Sequence, residues 1–151
     1  MRVSAKADYA VRAALELAAA GGGPLKGERI AEAQSIPLKF LENIMIELRH
    51  EGLVRSQRGP EGGYWLARPA EEIAVAAVIR AVEGPLASVR GEPPERLDYS
   101  GPAETLQTVW VALRANLRAV LDEVTLADVA VGKLPASVTA LADDPDAWVR
   151  R

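Results

Sequence analysis

Residues 36–69 read IPLKFLENIMIELRHEGLVRSQRGPEGGYWLARP, and this stretch decides the fold. Pro37 suits the first turn of a helix, where its missing N–H costs nothing. The helix that follows has an inward stripe of Leu38, Leu41, Ile44, Met45 and Leu48 and stops at Gly52. Lys39, Glu42, Asn43, Ile46 and Glu47 are left facing outward. Leu53–Ser56 and Tyr64–Ala67 read as two short strands. Gly59, Pro60, Gly62 and Gly63 form the turn between them.

Upstream, Ser4 can cap a first helix that runs to about Ala20, and the run Gly21-Gly22-Gly23-Pro24 ends it. A short second helix is expected over Lys26–Gln34, separated from the third by the turn Ser35-Ile36-Pro37. Two short helices so joined and then a glycine-rich hairpin are the parts of a winged helix-turn-helix. In that arrangement the first turns of the third helix reach base edges in the major groove. Glycines in the wing let backbone approach a phosphate, and an arginine at its tip, Arg58, can enter a groove. Lys6 and Tyr9 on the first helix can hold a phosphate by charge and by a phenol hydroxyl.

Downstream, a fourth helix is expected over Ala70–Val82, closed by Gly84-Pro85. Residues 86–102 read as loop. A long helix is expected over Ala103–Val124. Its apolar residues Leu106, Trp110, Leu113, Leu117, Val120 and Val124 alternate steps of four and three, a heptad seam suited to pairing with a second copy. Thr125 with Asp128 resembles a capping box for a last short helix. Residues 133–151 are polar, contain proline and are expected to be loosely held. The domain reading is therefore a winged helix-turn-helix over 1–84, a loop over 85–102, a dimerisation helix and short terminal helix over 103–132, and a tail over 133–151. The fold class is mainly α with a small β-hairpin.

Composition narrows the chemistry. The 151 residues include no cysteine and one histidine, His50, so thiolate zinc sites, cysteine-bound clusters and histidine-built metal sites are not expected. No Ser–His–acid or Cys–His set and no phosphate-cradling motif is present, which speaks against an enzyme. The net charge is −3, but residues 1–69 carry +2 and residues 70–151 carry −5. A mildly basic front and acidic rear suit one DNA-facing side. Charged residues interrupt the apolar N-terminus, which reads as neither signal peptide nor membrane span, so a cytoplasmic protein is expected.

With these residues in view, MRVSAKADYAVRAALELA and then LENIMIELRHEGLVRSQRGPEGGY resemble the bacterial IscR/NsrR/CymR family of winged-helix regulators over about residues 1–130. The resemblance implies a homodimer with crossing long helices, binding an inverted-repeat operator in double-stranded DNA, usually as a repressor. It places Pro37, Lys39 and Glu42, beside Asn43, where the family reads bases, and Arg58 where a wing arginine enters the minor groove. It places Lys6, Tyr9, Arg49, Ser56, Gly62 and Gly63 among phosphate contacts. Cluster-binding relatives carry three cysteines in the loop at 86–102; here LASVRGEPPERLDYSG has none, so no cofactor is expected. An effector, if one acts, is a small metabolite or a protein. The alternative reading is a winged-helix module that binds a partner enzyme or other protein in place of DNA.

Overall fold

The computed structural model describes residues 1–151. Helix α1 spans Ala5–Ala19. Ser4 caps it by accepting the Ala7 N–H at 3.0 Å, and the same hydroxyl donates to the Glu83 carboxylate. Ala10, Ala13, Ala14 and Leu17 lie buried along α1. Small side chains there let neighbouring helices approach closely. Gly21 and Gly22 then take positive φ angles of 67° and 97° to turn the chain.

Helix α2 covers Gly27–Gln34 and α3 covers Leu38–His50. Ser35 ends α2 in the left-handed region, Ile36 is buried, and Pro37 stands at the N-cap position just before the first turn of α3, without a side-chain hydrogen bond to it. Leu41, Ile44, Met45 and Leu48 are wholly buried and join Ile30 and Leu17 in one core. Leu38 departs from the expected inward stripe: it is 39 % exposed. As the first residue of α3 it sits at the rim of the core, beside Gly27.

Strands β1 (Val54–Gln57) and β2 (Gly63–Leu66) form an antiparallel hairpin with Ser56 opposite Tyr64 and Gln57 opposite Gly63. Each begins one residue away from its expected start. Leu53 joins the two elements: its N–H donates to the Leu48 carbonyl of α3 at 2.9 Å, and its carbonyl accepts the Ala67 N–H at 2.9 Å. Leu25 bridges β2 from its other side, exchanging hydrogen bonds with Tyr64 at 2.7 and 2.9 Å.

The expected fourth helix is broken. A 3-10 turn spans Ala70–Glu72, Ile73 is extended, and α4 runs only over Val75–Glu83. The break has a partner: the Leu126 N–H donates to the Ile73 carbonyl and the Val75 N–H to that of Val124, at 2.9 and 2.8 Å. This pairing buries Val124, which therefore leaves the seam proposed for the long helix. Helix α5 is correspondingly short, Leu106–Leu121, and none of its 16 residues is buried. Helix α6 (Leu126–Val131) begins with a complete Thr125–Asp128 capping box and packs on α1.

Residues 86–105 are more ordered than a plain loop. Val89 and Glu92 exchange two hydrogen bonds of 2.9 Å around Arg90-Gly91, a 3-10 turn covers Pro94–Arg96, and Leu86, Pro94 and Leu97 are buried. The C-terminal residues form α7 (Ala136–Ala142) and a 3-10 turn at Pro145–Trp148, neither with a buried residue.

Candidate nucleic-acid interface

The exposed side of α3 carries Lys39, Glu42, Asn43 and Ile46, with Pro37 exposed just before it. Arg58 is exposed in the wing. Neither Lys39, Glu42 nor Arg58 is taken up in an ion pair with the rest of the chain.

Contacts at Gly27 tie the start of α3 to the hairpin. A methyl group at Gly27 would lie 3.5 Å from the Tyr64 ring and 3.9 Å from Leu38. The starts of α2 and α3 and the strand β2 therefore converge on that glycine. Lys26 fastens the wing further by donating from Nζ to the Gly59 carbonyl. At the other end of α3, Arg49 Nη1 donates to Ser56 Oγ at 2.9 Å, which joins the helix to β1.

Gly62 and Gly63 are buried. A Cβ on Gly62 would fall 2.0 Å from the Gln57 carbonyl oxygen, and one on Gly63 would fall 2.6 Å from that of Leu25. The Gly62 N–H already donates to the Gly59 carbonyl at 3.1 Å. These glycines are needed first for the shape of the wing.

The α1 residues are engaged as well. Lys6 Nζ lies 2.7 Å from Glu47 Oε1, with both side chains about one-third exposed. The Tyr9 ring meets Phe40 edge-on, at 5.4 Å between centroids and 89° between planes. The Arg12 guanidinium lies 4.9 Å from the centre of the Tyr9 ring, donates to the Gln34 carbonyl at 2.6 Å and pairs with Asp8 at 2.9 Å. Lys6, Phe40, Asn43, Ile44, Ile46 and Glu47 line a groove of about 400 Å³ between α1 and α3.

Lys26, Arg12 and Phe40 were not among the sequence-based candidates. Phe40 lies at the edge of the exposed stripe, where helical periodicity assigns neither face. Lys26 and Arg12 act on carbonyls distant in the chain, which no local pattern reveals.

Groups with displaced titration lie elsewhere. Asp122 is held below the ordinary carboxylate range, first by hydrogen bonds from Arg80 at 2.7 and 3.0 Å. Glu95 is lowered first by its own backbone N–H and then by Arg114. Both are surface ties to α5.

The family model described as Rrf2, iron-dependent transcriptional regulator, matches residues 3–132. A helix-turn-helix transcriptional regulator of Mycobacterium tuberculosis H37Rv is 57 % identical over 145 residues, covering 95 % of this chain and 90 % of that one. The regulator IscR of Serratia proteamaculans is 40 % identical, covering 85 % and 78 %. Among solved structures, CymR, the global cysteine regulator of Bacillus subtilis, superposes with a TM-score of 0.74 at 34 % identity, covering 88 % of this chain and 98 % of that one.

The family's description implies iron. The chain has no cysteine, and no three His, Cys, Asp or Glu side chains gather where they could hold an ion. The residues of this chain therefore do not fit a thiolate-bound cluster. No helix is long and apolar enough to cross a membrane. The ordered helix-turn-helix and wing, with family and relatives all described as transcriptional regulators, give one conclusion: this chain belongs to the Rrf2 family and is a DNA-binding transcription regulator, not an enzyme.

Proposed function

We propose that this chain is a homodimeric repressor that reads an inverted-repeat operator in the cytoplasm without an iron–sulfur cluster. Pro37, Lys39, Glu42 and Asn43 of α3 meet base edges in the major groove, and Arg58 enters the adjoining minor groove. Lys6, Tyr9, Arg49 and Ser56 hold phosphates, and Gly62 and Gly63 shape the wing that brings backbone near them. The observation that carries this reading is the convergence of α2, α3 and the wing at Gly27, with Lys39 and Arg58 exposed and unpaired.

Dimerisation through α5 is supported by its surface. Leu106, Trp110, Leu113, Leu117 and Val120 are only half-buried, and Val109 and Val111 are exposed, so this apolar helix lacks a cover within its own chain. Independence from an iron–sulfur cluster is supported by the lack of any cysteine ligand, and side-chain contacts hold Glu95 and Tyr99 on α5. Trp110 donates to the Tyr99 hydroxyl at 3.1 Å, Gln107 donates to the Glu95 carbonyl at 3.2 Å, and Arg114 pairs with Glu95.

The test is a fluorescence-anisotropy titration on a duplex selected by the purified protein from genomic fragments, repeated across salt concentrations. Phosphate contacts release counterions, so affinity falls steeply, by about 10³-fold or more between 50 and 200 mM salt for six or more contacts. A flat titration overturns DNA reading and favours a protein-binding module.

A further inference from the structure

The exposed face of α3 carries more apolar surface than a purely polar reading of bases needs. Phe40 is 40 % exposed and Ile46 is 54 % exposed. Asn43 lies between them, three residues from each. Residues so spaced are neighbours on a helix surface, so the three form one strip. Phe40, Asn43 and Ile46 line the same groove beside α1.

The strip is rigid at one end. The Tyr9 ring holds Phe40 edge-on, and Tyr9 is fixed under Arg12, whose guanidinium is tied to Gln34 and Asp8. An aromatic ring held this way presents its free part with little rotamer entropy left to lose on binding. Ile46 lies outside the core cluster, so its side chain is not needed to fill the core.

A base pair offers one apolar feature in the major groove, the 5-methyl group of thymine. An asparagine amide fits the N6 and N7 edge of adenine in two hydrogen bonds. Adenine and its paired thymine present both features in the same groove. We infer that the strip Phe40–Asn43–Ile46 selects A·T pairs in each half-site, Asn43 on an adenine and the two apolar side chains on thymine methyl groups. This rests on the DNA-reading role of α3 proposed above.

The test replaces each thymine of the selected duplex in turn with deoxyuridine, which removes the methyl group and changes nothing else in the groove. The wild-type protein is expected to lose about three- to fivefold in affinity at one or more positions, the scale of one buried methyl. Ile46→Ala or Phe40→Ala is expected to bind the thymine and deoxyuridine duplexes equally at such a position. Ile46→Ala touches no core contact, so its fold is safe even where Phe40→Ala loosens α1 from α3.

Equal wild-type binding to every deoxyuridine duplex overturns the inference. So does wild-type discrimination retained by both variants, which assigns Phe40 to packing and Ile46 to the sugar–phosphate edge. Either result leaves sequence-selective binding intact, whereas failure of the selection to yield any preferred duplex removes DNA reading by α3 altogether.

Discussion

At the residue scale, the interface is a set of charges whose availability differs. Arg58 is exposed and unpaired, so its charge is free for a ligand. Arg58→Ala is expected to weaken operator binding by about 1–3 kcal/mol, the range of one good base contact. An unchanged dissociation constant by anisotropy removes it from the interface. Lys6 is different, because Glu47 occupies it at 2.7 Å. Any phosphate that uses Lys6 has to compete with that carboxylate. Glu47→Gln is expected to tighten binding and to steepen the slope of log affinity against log salt by about one. An unchanged slope shows that Lys6 does not reach phosphate. Both side chains are about one-third exposed, so losing the pair costs the fold at most about 1 kcal/mol. Spacing could place Lys6 and Glu47 on their helices, but their mutual neutralisation joins residues 41 positions apart.

At the scale of elements, α3 and the hairpin were legible because each follows from a local cause. Pro37 starts α3, and its apolar residues recur at helical spacing. Gly62 and Gly63 stand where backbone atoms leave no room for a Cβ. The break at Ile73 was not legible. Residues 70–82 carry no proline or glycine to mark it. Its cause is the Ile73–Leu126 and Val75–Val124 pairing across more than forty residues.

The same region supplies a pH-dependent tie. Arg80 on α4 holds Asp122 at the end of α5 and keeps its carboxyl below the ordinary 3.8. A carboxyl depressed in the folded state stabilises fully above its unfolded value and loses that contribution as pH falls through the folded one. Asp122→Asn is thus expected to lower stability at neutral pH by less than about 1 kcal/mol, since the pair is substantially exposed. The difference should vanish in melts below the folded pKa, where the wild-type carboxyl is protonated too. A difference that persists there shows that the tie is not ionic.

At the scale of the whole molecule, α5 stands apart from the core. That core joins α1 to α4 with Leu126 of α6, so it takes in residues from both sides of α5. Helix α5 spans about 24 Å without burying a side chain. Leu113→Glu with Leu117→Glu is expected to convert a dimer to monomers in light scattering and, through it, to weaken binding to an inverted repeat. An unchanged mass moves the subunit contact away from α5. The tail also falls in this scale. Proline and polar residues point to a loosely held segment; α7 forms there, with Trp148 donating back to the Ala142 carbonyl, and neither α7 nor the turn after it buries a residue.

The sequence alone determined which segments become helix and hairpin wherever propensity, capping and periodicity act within a few residues. It also determined which chemistry is absent, because no fold can supply a cysteine the chain lacks. The tertiary structure alone decided where Leu38 and Val124 lie, why the fourth helix breaks and which interface charges are already taken. Each of those depends on a partner distant in the chain. Burial, backbone pairing and ion pairing are set by spatial neighbours, and only the folded chain brings those neighbours together.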